Sequence, residues 1–252
     1  MNSHLSIRQR LDEALVARGY YESRSRARDA IVRGTVFVSG AVVSKPGHLI
    51  DSDAAIEIAD PAQSYVSRAA LKLVAGLDQF GMSPEGETAL DIGASTGGFV
   101  QVLLQRGAGH VIGVDVGHGQ LHASLANDVR VTNLEGLNAR ELAREHLDGR
   151  KIGFVTSDVS FISLKLALPP ALQLAETGAR CVLLIKPQFE AGREAIGKGG
   201  VLKDKSLGPK IAEDMCEWLS AQKGWRAIGV CDSPIEGADG NHEYLLGGIK
   251  DQ

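Results

Sequence analysis

The spacing of apolar residues changes along this chain, and the changes predict where strands and helices lie. From residue 88 onward, short runs of β-branched and aliphatic residues alternate with segments whose apolar positions recur every three to four residues. The runs predict strands at 88–92, 111–116, 129–133, 152–158, 180–186, 225–232 and 243–249, and the other segments predict helices at 67–80, 98–106, 119–126, 139–146, 163–176 and 205–221. Strands separated by helices form right-handed βαβ units, so we expect an α/β fold around a seven-stranded, mostly parallel sheet. The last two strands are joined by a loop without a helical pattern and should pair antiparallel.

The first sixty residues follow a different pattern. Apolar positions at helical spacing predict one helix over 8–19 and another over 23–34. Two β-branched runs flank Ser39-Gly40, which is typical of a tight hairpin, and residues 51–58 predict a further short strand. Proline and small polar residues then indicate a linker. We therefore expect a small α+β domain at 1–60, a linker at 61–65 and the α/β domain at 66–252.

Composition narrows the classes of protein that fit. The chain has 252 residues, of which 44% are hydrophobic, so it can bury a core. No apolar run approaches the length that crosses a bilayer, and residues 1–26 carry charges every few positions, so neither a membrane span nor a secretory leader is expected. The three cysteines are widely spaced and predict neither a zinc site nor a disulfide framework, which fits the reducing cytoplasm.

The net charge of −4 is distributed unevenly along the chain. Residues 1–50 hold eight Lys and Arg against four Asp and Glu, so the remainder carries −8. A basic head on an acidic body favours an anionic partner for the head. A solvated basic helix face would give the same count, and charge alone does not separate the two interpretations.

A glycine-rich turn follows the first strand of the body, in the stretch TALDIGASTGGFVQVLL at 88–104. Ligands of open parallel sheets bind beyond the carboxyl ends of the strands, where Gly93, Gly97 and Gly98 would let the backbone approach a ligand and the next helix would point its amides. A dinucleotide would need G-x-G-x-x-G, but Ser95 stands where that pattern has glycine. The spacing therefore favours S-adenosylmethionine, which has no pyrophosphate, although a plain βα turn can carry the same glycines.

Two carboxylates accompany this turn. Asp91 ends the first strand of the body and could meet the methionine ammonium of the cofactor, directly or through water. Asp115 ends the next strand, about twenty residues on, where a ribose-binding carboxylate belongs. Because both kinds of cofactor contain ribose, Asp115 does not decide between them.

Four charged residues are expected around the same crevice. Asp158 and Lys186 each end a strongly apolar strand, which is not typical of solvated surface positions. Lys72 and Glu243 would by themselves fit a solvated helix face and a hairpin edge. Methyl transfer to a hydroxyl requires a group that takes the proton, and a lysine does so only where burial or a nearby cation lowers its pKa. If the four residues converge, one lysine supplies that cation and the carboxylates orient the amines.

Six motifs closely resemble the TlyA family of ribosomal RNA 2′-O-methyltransferases, and together they span nearly the whole chain. They are SRAALKL, LDIGASTGGF, GVDVGHGQL, SDVSFISL, LIKPQFEAGR and GNHEYLL, in this order. The resemblance implies a Rossmann-like class I methyltransferase fold of the FtsJ type, with S-adenosylmethionine as cofactor and an S-four-type RNA-binding domain at the N-terminus. It implies 2′-O-methylation of a cytidine in the ribosomal RNA of assembled subunits. No metal, membrane or stable protein partner is expected.

The resemblance also assigns residues. The family's Lys-Asp-Lys-Glu catalytic set falls on Lys72, Asp158, Lys186 and Glu243. The cofactor-binding positions fall on Asp91, Gly93, Ala94, Ser95, Gly97, Gly98, Asp115, Val116 and Phe161. The RNA-binding positions fall on Arg10, Arg24, Arg26, Arg28, Arg33, Lys45 and Arg68. One subtype of the family modifies only the large subunit, and the end of this chain at Gln252, without the extension of the other subtype, favours that narrower substrate.

Three other functions stay open at this point. A nicotinamide-dependent oxidoreductase would share the fold but requires the G-x-G-x-x-G pattern that is absent here. A non-catalytic RNA-binding or ribosome-assembly factor would keep the basic head and would not need the acid–base set. A haemolysin, another name used in the family, would need a segment that inserts into a membrane, and the apolar pattern indicates none.

Overall fold

A computed structural model of the chain describes residues 8–237 and 239–252. The chain divides between Ser64 and Tyr65 into two compact units, called here the N-terminal and the C-terminal unit. Residues 1–7 lie outside the described residues. Two predictions depend in part on them: the absence of a secretory leader and the start of the first domain.

From residue 8 onward, where the structure describes it, the N-terminal unit has two helices and five short strands. Its elements are β1 (Arg8–Arg10), α1 (Leu11–Ala17), α2 (Arg24–Val32), β2 (Val36–Val38), β3 (Ala41–Val42), β4 (Leu49–Asp51) and β5 (Ile56–Ile58). The predicted hairpin is confirmed, because β2 and β3 pair antiparallel around Ser39 and Gly40, which both have positive φ angles. β5 pairs with the other edge of β2, and β1 pairs with β4.

The first predicted helix begins three residues later than expected. Residues Arg8–Arg10 form strand β1, because their backbone pairs antiparallel with β4, an interaction between positions about forty residues apart that no local pattern reveals. Leu11 and Leu15 of α1 pack against Ala27 and Ile31 of α2, and all four side chains are fully buried. These contacts form the core of the unit.

The C-terminal unit alternates strands and helices as predicted. Its elements are α3 (Ala70–Phe80), β6 (Thr88–Ile92), α4 (Gly98–Gln105), β7 (His110–Asp115), α5 (Ala123–Ala126), β8 (Val131–Glu135), β9 (Ile152–Ser157), α6 (Leu164–Ala167), α7 (Pro169–Leu174), β10 (Ala175–Ile185), α8 (Pro187–Glu190), α9 (Leu207–Ser220), β11 (Trp225–Asp232) and β12 (Tyr244–Lys250), with short 3-10 helices at Ala139–Glu141, Arg144–Leu147 and Arg193–Ala195.

Seven of the described strands form one sheet in the order β8-β7-β6-β9-β10-β12-β11. Strands β6 to β10 run parallel, and β12 lies antiparallel between β10 and β11, which confirms the predicted mostly parallel sheet and antiparallel final pair. From β6 the chain proceeds first to β7 and β8 on one side and then to β9 and β10 on the other. The strand order therefore switches between β6 and β9, the point where sheets of this class bind ligands.

Three predicted helices are shorter than expected or replaced. The helix predicted at 119–126 is reduced to α5, and the one at 139–146 is replaced by two 3-10 helices. The helix predicted at 163–176 is divided into α6 and α7, because Pro169 and Pro170 cannot continue a helix that precedes them. Its last two residues instead begin β10, where Ala175 pairs with Ile152.

Helices cover both faces of the sheet. On one face α3 and α4 bury Leu73, Leu77 and Leu103, and on the other face α9 buries Met215 and Leu219. With both faces covered, the central strands β6, β7 and β9 are largely apolar and buried, and their polar side chains are found near the strand ends. This arrangement brings the ends of β6, β7, β9 and β10 to one edge of the sheet.

Candidate active site

The glycine turn after β6 lies directly beside the chain that leaves β9. Gly93 has a φ of 87°, and a Cβ at this position would lie 2.9 Å from the carbonyl oxygen of Asp158. The Gly93 amide donates to the carbonyl of Val114 on β7. Glycine is required here because two backbone segments pass closer together than a side chain allows.

Asp115 organises the neighbouring loops through its carboxylate. One oxygen accepts a hydrogen bond from the amide of Ser95 at 2.8 Å, and the other accepts one from the amide of Gly117 at 2.7 Å. Ser95 adopts a left-handed backbone conformation with a φ of 47°. The carboxylate at the end of β7 therefore holds the glycine turn after β6 in place, and it also faces the cavity described next.

A cavity of about 510 Å³ opens at the carboxyl ends of these strands. Of the predicted cofactor-binding residues, it is lined by Gly93, Ser95, Asp115, Val116 and Phe161, together with Asp158 and Lys186 of the predicted catalytic set. Its walls also contain apolar side chains from Leu137 and Ile162. Pockets for small cofactors are typically about 300–1,000 Å³, mostly apolar and furnished with a few placed polar groups, so the size and lining suit a nucleoside-containing cofactor.

Other predicted cofactor residues lie outside this cavity. Ala94 and Gly98 line a smaller adjoining cleft of about 60 Å³. Gly97 has a positive φ angle and packs closely against Leu125, because a Cβ at this position would clash with Leu125 Cδ1. These three residues shape the backbone of the turn, and Gly97 and Gly98, which have no side chains, could meet a ligand only through backbone atoms.

Asp91 lies near the end of β6 and is more deeply buried than Gly93 and Asp115, which line the cavity. Its side chain is fully buried and does not line the cavity. One oxygen accepts a hydrogen bond from Thr156 Oγ1 at 2.7 Å, and the other has no partner among the described residues. Burial raises the pKa of Asp91 to about 7, and the nearby charges of Asp158 and Asp115 act in the same direction.

Asp158 and Lys186 form an ion pair at the cavity. The Nζ–Oδ1 distance is 2.7 Å, and the side chains of Lys186 and Asp158 are 11% and 17% exposed, respectively. Asp158 Oδ1 is close to the amine but accepts no well-aligned hydrogen bond from it. The lysine amine instead donates a hydrogen bond to Ser160 Oγ at 2.7 Å. Lys186 thus stands between a carboxylate and a hydroxyl, with its amine at the edge of the space that a cofactor would occupy.

Lys72 and Glu243 form a second and more deeply buried ion pair. The Nζ–Oε2 distance is 2.5 Å, and the side chains are 7% and 2% exposed. Lys72 is carried by α3, whereas Glu243 immediately precedes β12. The β10–β12 ladder ends with Ile185 opposite Tyr244, so Lys186 and Glu243 are the next residues along the two strands. The structure therefore brings the four residues of the predicted catalytic set to one end of the sheet as two Lys–carboxylate pairs.

Sequence reasoning did not assign several residues that shape this site. Ser160 contacts the amine of Lys186, and Gln120 and Asn138 line the cavity. Ser160 could have been found, because it follows a strand-ending aspartate by two positions. Asn138 lies in a loop between β8 and a 3-10 helix, where no periodic pattern indicates a ligand.

The predicted RNA-binding residues differ in how available they are. Arg28 and Lys45 are exposed, and no acidic partner for either occurs among the described residues. Arg10 and Arg24 each pair with the buried Asp12 at 3.0 Å but keep about half of their side chains exposed. The hydrogen bond from Arg10, aided by Arg24, lowers the pKa of Asp12 to about 2.

Arg33 forms ion pairs within the N-terminal unit. Its guanidinium makes two hydrogen bonds to Asp60, at 2.8 and 2.9 Å, and one to Asp29 at 2.9 Å, and its side chain is only 15% exposed. It joins the end of α2 to the segment after β5, which argues against contact with RNA. Arg26 pairs with Glu22 at 3.3 Å, and Arg68, half-buried in the C-terminal unit, also has a partner.

Comparison with known proteins identifies both parts of the chain. Residues 65–250 match the FtsJ-like methyltransferase model, and residues 9–56 match the S4 domain model. The chain belongs to the FtsJ-like methyltransferase family. The predictions of family, fold, enzyme class and S-adenosylmethionine as cofactor are thereby confirmed.

Three curated relatives are similar over most of the chain. The 16S/23S rRNA (cytidine-2′-O)-methyltransferase TlyA of Mycobacterium tuberculosis is 43% identical over 96% of this chain and 90% of its own length. Hemolysin A of Brachyspira hyodysenteriae is 42% identical, over 94% of this chain and 98% of its own length. The 23S rRNA (cytidine-2′-O)-methyltransferase TlyA of Campylobacter jejuni is 40% identical, over 75% and 72%.

Within the part of the chain that the structure describes, no helix combines the length and apolar character needed to cross a membrane.

Proposed function

We propose that this FtsJ-like methyltransferase transfers a methyl group from S-adenosylmethionine to the ribose 2′-hydroxyl of a cytidine in ribosomal RNA. The observation that carries the proposal is the Lys186–Asp158 ion pair at the rim of the cavity beside the glycine turn. The relatives named above as rRNA cytidine-2′-O-methyltransferases support the choice of substrate. A substrate of this kind also implies a cytoplasmic location, where ribosomal subunits are found.

The bound cofactor would supply an electrophilic methyl group next to a sulfonium. Gly93, Ser95 and Asp115 would hold it, because they line the cavity at the switch point of the sheet. The 2′-oxygen forms a bond to the methyl carbon as the carbon–sulfur bond breaks, and the hydroxyl proton has to leave. In our proposal Lys186 acts as the free amine: the ammonium of the ion pair first gives a proton to solvent, and the neutral amine then receives the proton of the hydroxyl. Proton removal by a positioned side chain typically accelerates such a step by about 10²–10⁴-fold.

The remaining charged residues would orient the amine and balance charge. Asp158 keeps Lys186 directed at the cavity rim, and Ser160 provides a second contact for the same amine. The buried Lys72–Glu243 pair adds one positive and one negative charge without changing the net charge of the site. We infer that this pair stabilises the geometry in which the hydroxyl is deprotonated.

The N-terminal unit would bind the RNA surface around the target. An S4 domain with exposed Arg28 and Lys45, and with half-exposed Arg10 and Arg24, offers several positive charges to phosphates. Contacts of this kind position a protein on folded RNA without reading its sequence. The target nucleotide would then be turned out of its stack to reach the cavity of the C-terminal unit.

The test is transfer of labelled methyl from S-adenosylmethionine to purified large subunits, small subunits and naked ribosomal RNA. The protein is compared with Lys186→Ala and with Lys210→Ala, an exposed surface lysine on α9 that serves as control. We expect label at a cytidine 2′-oxygen of large-subunit RNA, favoured over the small subunit, and a loss of about 10²-fold or more in Lys186→Ala alone. Absence of label on every substrate would overturn the proposal, and equal labelling of both subunits would overturn the large-subunit preference.

Haemolysis is the second candidate, favoured only by the name of the Brachyspira relative. Purified protein added to erythrocytes tests it. Lysis that persists in Lys186→Ala would show an activity separate from methyl transfer, whereas no lysis at the concentrations used for methyl transfer would exclude it.

A further inference from the structure

Two segments that leave neighbouring strands are joined at three places beside the active site. The first segment follows β9 and runs from Asp158 to Leu164, and the second follows β10 and includes Lys186 and α8. The catalytic ion pair is the first connection. The aromatic rings of Phe161 and Phe189 form the second, with centroids 5.4 Å apart. The third is made by Glu190, at the end of α8, and it has no place in the proposed reaction.

Glu190 binds the start of α6 with both carboxylate oxygens. Ser163 Oγ donates to one oxygen at 2.5 Å, and the amide of Leu164 donates to the other at 2.8 Å. Ser163 also caps α6 from within, because its Oγ accepts a hydrogen bond from the amide of Lys165. The two caps satisfy different amides at the start of α6, and the bonds to Glu190 also fasten this segment to α8.

The segment that this clasp closes contains a strained residue. Phe161 has a φ of 66°, a left-handed conformation that is unfavourable for a residue with a side chain. Its ring is 91% exposed and lines the cavity beside Asp158. An exposed residue gains little from burial, so the conformation has to be imposed by its neighbours. The Phe189 ring contacts Phe161 itself, and the Glu190 clasp fastens the chain two residues after it.

We propose that Glu190 is a positioning residue for the methyl transfer. By fastening Ser163 and Leu164 to α8, it holds the segment 158–163 in the conformation that keeps Phe161 on the cavity rim and Asp158 and Ser160 in contact with Lys186. The inference rests on the proposed function, since it assigns Glu190 a role in that reaction. Glu190 does not itself touch the cavity.

The test compares Glu190→Ala with Glu190→Gln and with Glu194→Ala. Gln keeps an oxygen for the Leu164 amide and an amide that can donate to Ser163, so it should restore most of the clasp. Glu194 is a neighbouring exposed glutamate and serves as the matched control. Each variant is assayed for kcat and KM with RNA and S-adenosylmethionine, for S-adenosylhomocysteine affinity by calorimetry, for Tm, and for amide exchange of 159–166 by mass spectrometry.

In Glu190→Ala we expect exchange in 159–166 to rise roughly tenfold or more, with other regions unchanged. We expect kcat to fall about ten- to hundredfold, because small displacements of reacting groups have effects of that size. S-adenosylhomocysteine affinity should stay within about twofold, since Glu190 does not line the cavity. Gln should recover most of both changes, and Glu194→Ala should resemble wild type.

A second comparison separates positioning from general stability. Phe161→Gly removes the strain, so adding Glu190→Ala to it should lower kcat by much less than Glu190→Ala does in the wild type. Unchanged exchange, unchanged kcat, or a loss of kcat that follows loss of folded protein would overturn the proposal. Amide exchange is measured without any reaction, so it tests the clasp separately from the proposed function. If Glu190→Ala raises exchange in 159–166 but the wild-type protein shows no transferase activity, the proposed function is refuted and the contact itself is established.

Discussion

The buried carboxylate of Asp91 should make the stability of the C-terminal unit depend on pH. Burial is the main reason that its pKa rises to about 7, while the Thr156 hydrogen bond acts in the opposite direction. The unfolded chain gives the same group a pKa of about 4. This difference of about three units means that ionised Asp91 costs about 4 kcal/mol of folding free energy above pH 7.

The sign follows from which state holds the proton more tightly. Folded Asp91 binds its proton more tightly than unfolded Asp91, so its destabilising effect is absent below about pH 4 and grows as pH rises to about 7. The cost is roughly 1.5 kcal/mol at pH 5 and roughly 4 kcal/mol at pH 8. Asp91→Asn keeps the shape and cannot ionise. The stability of the variant relative to wild type should therefore improve by roughly 2.5 kcal/mol between pH 5 and pH 8.

Urea unfolding followed by tryptophan fluorescence measures this difference. Both tryptophans of the chain, Trp218 and Trp225, lie in the C-terminal unit, so the signal reports the unit that contains Asp91. Comparing the two proteins at each pH cancels the titration of the groups that do not interact with Asp91. A change below about 0.5 kcal/mol between the two pH values would refute the reasoning, because it would mean that Asp91 ionises as it does in water.

Three other sets of replacements separate stability from function. Glu243→Leu should lower the free energy of unfolding by about 3–5 kcal/mol, because Lys72 keeps a buried charge without a partner. Adding Lys72→Met should restore much of that stability in urea unfolding without restoring methyl transfer. Arg33→Ala should destabilise the S4 domain by about 3 kcal/mol in thermal unfolding. Arg28→Ala should leave stability within about 0.5 kcal/mol but weaken RNA binding and reduce its salt slope by about one. Gly93→Ala should cost about 1–3 kcal/mol and weaken S-adenosylhomocysteine binding in calorimetry, because its methyl group would meet the backbone carbonyl after β9.

Each of these predictions has an outcome that contradicts it. The buried-charge argument is wrong if the double variant is as unstable as the single one. Equal effects of the two arginine replacements on thermal unfolding would remove the distinction between a structural and an exposed arginine. Gly149→Ala is the control for Gly93, because Gly149 also has a positive φ, of 71°, but its Cβ would meet open space. If both glycine variants bind S-adenosylhomocysteine equally weakly, close approach is not the reason for glycine at position 93.

The central strands of the α/β body could be predicted because β6, β7 and β9 are buried on both faces and appear as short apolar runs. β6 begins and ends where the pattern predicts, and so does the edge strand β11, which is only partly buried. Segments that depend on distant partners could not be predicted. The first five residues of β10, from Ala175, are polar or small and become a strand because Ala175 pairs with Ile152. Strand β1 depends in the same way on β4.

The residues of the candidate site differ in the same way, because some follow from the strand pattern and others depend on contacts between distant elements. Asp158 and Lys186 could be found because parallel strands present their carboxyl ends at one edge, so the strand pattern alone brings these two residues together. The partner of Lys72 could not be derived from the residues, since it depends on the rotation of α3 against β12. Arg28 and Arg33 look alike in the sequence, and only the fold, which places Asp60 beside Arg33, distinguishes them.

Asp91 shows why a strand-end position alone does not establish ligand contact. It precedes Gly93 by two positions and is the last acidic residue before the turn, which made it a candidate for the cofactor ammonium. Side chains along a strand point alternately to opposite faces, so a shift of one residue moves a carboxylate from the cavity to the core. In the structure Thr156 of the neighbouring strand meets Asp91 inside the core, whereas Asp115, which ends β7, contacts loop amides and lines the cavity. Asp115 therefore faces the cavity directly, whereas the raised pKa of Asp91 follows from its burial in the core.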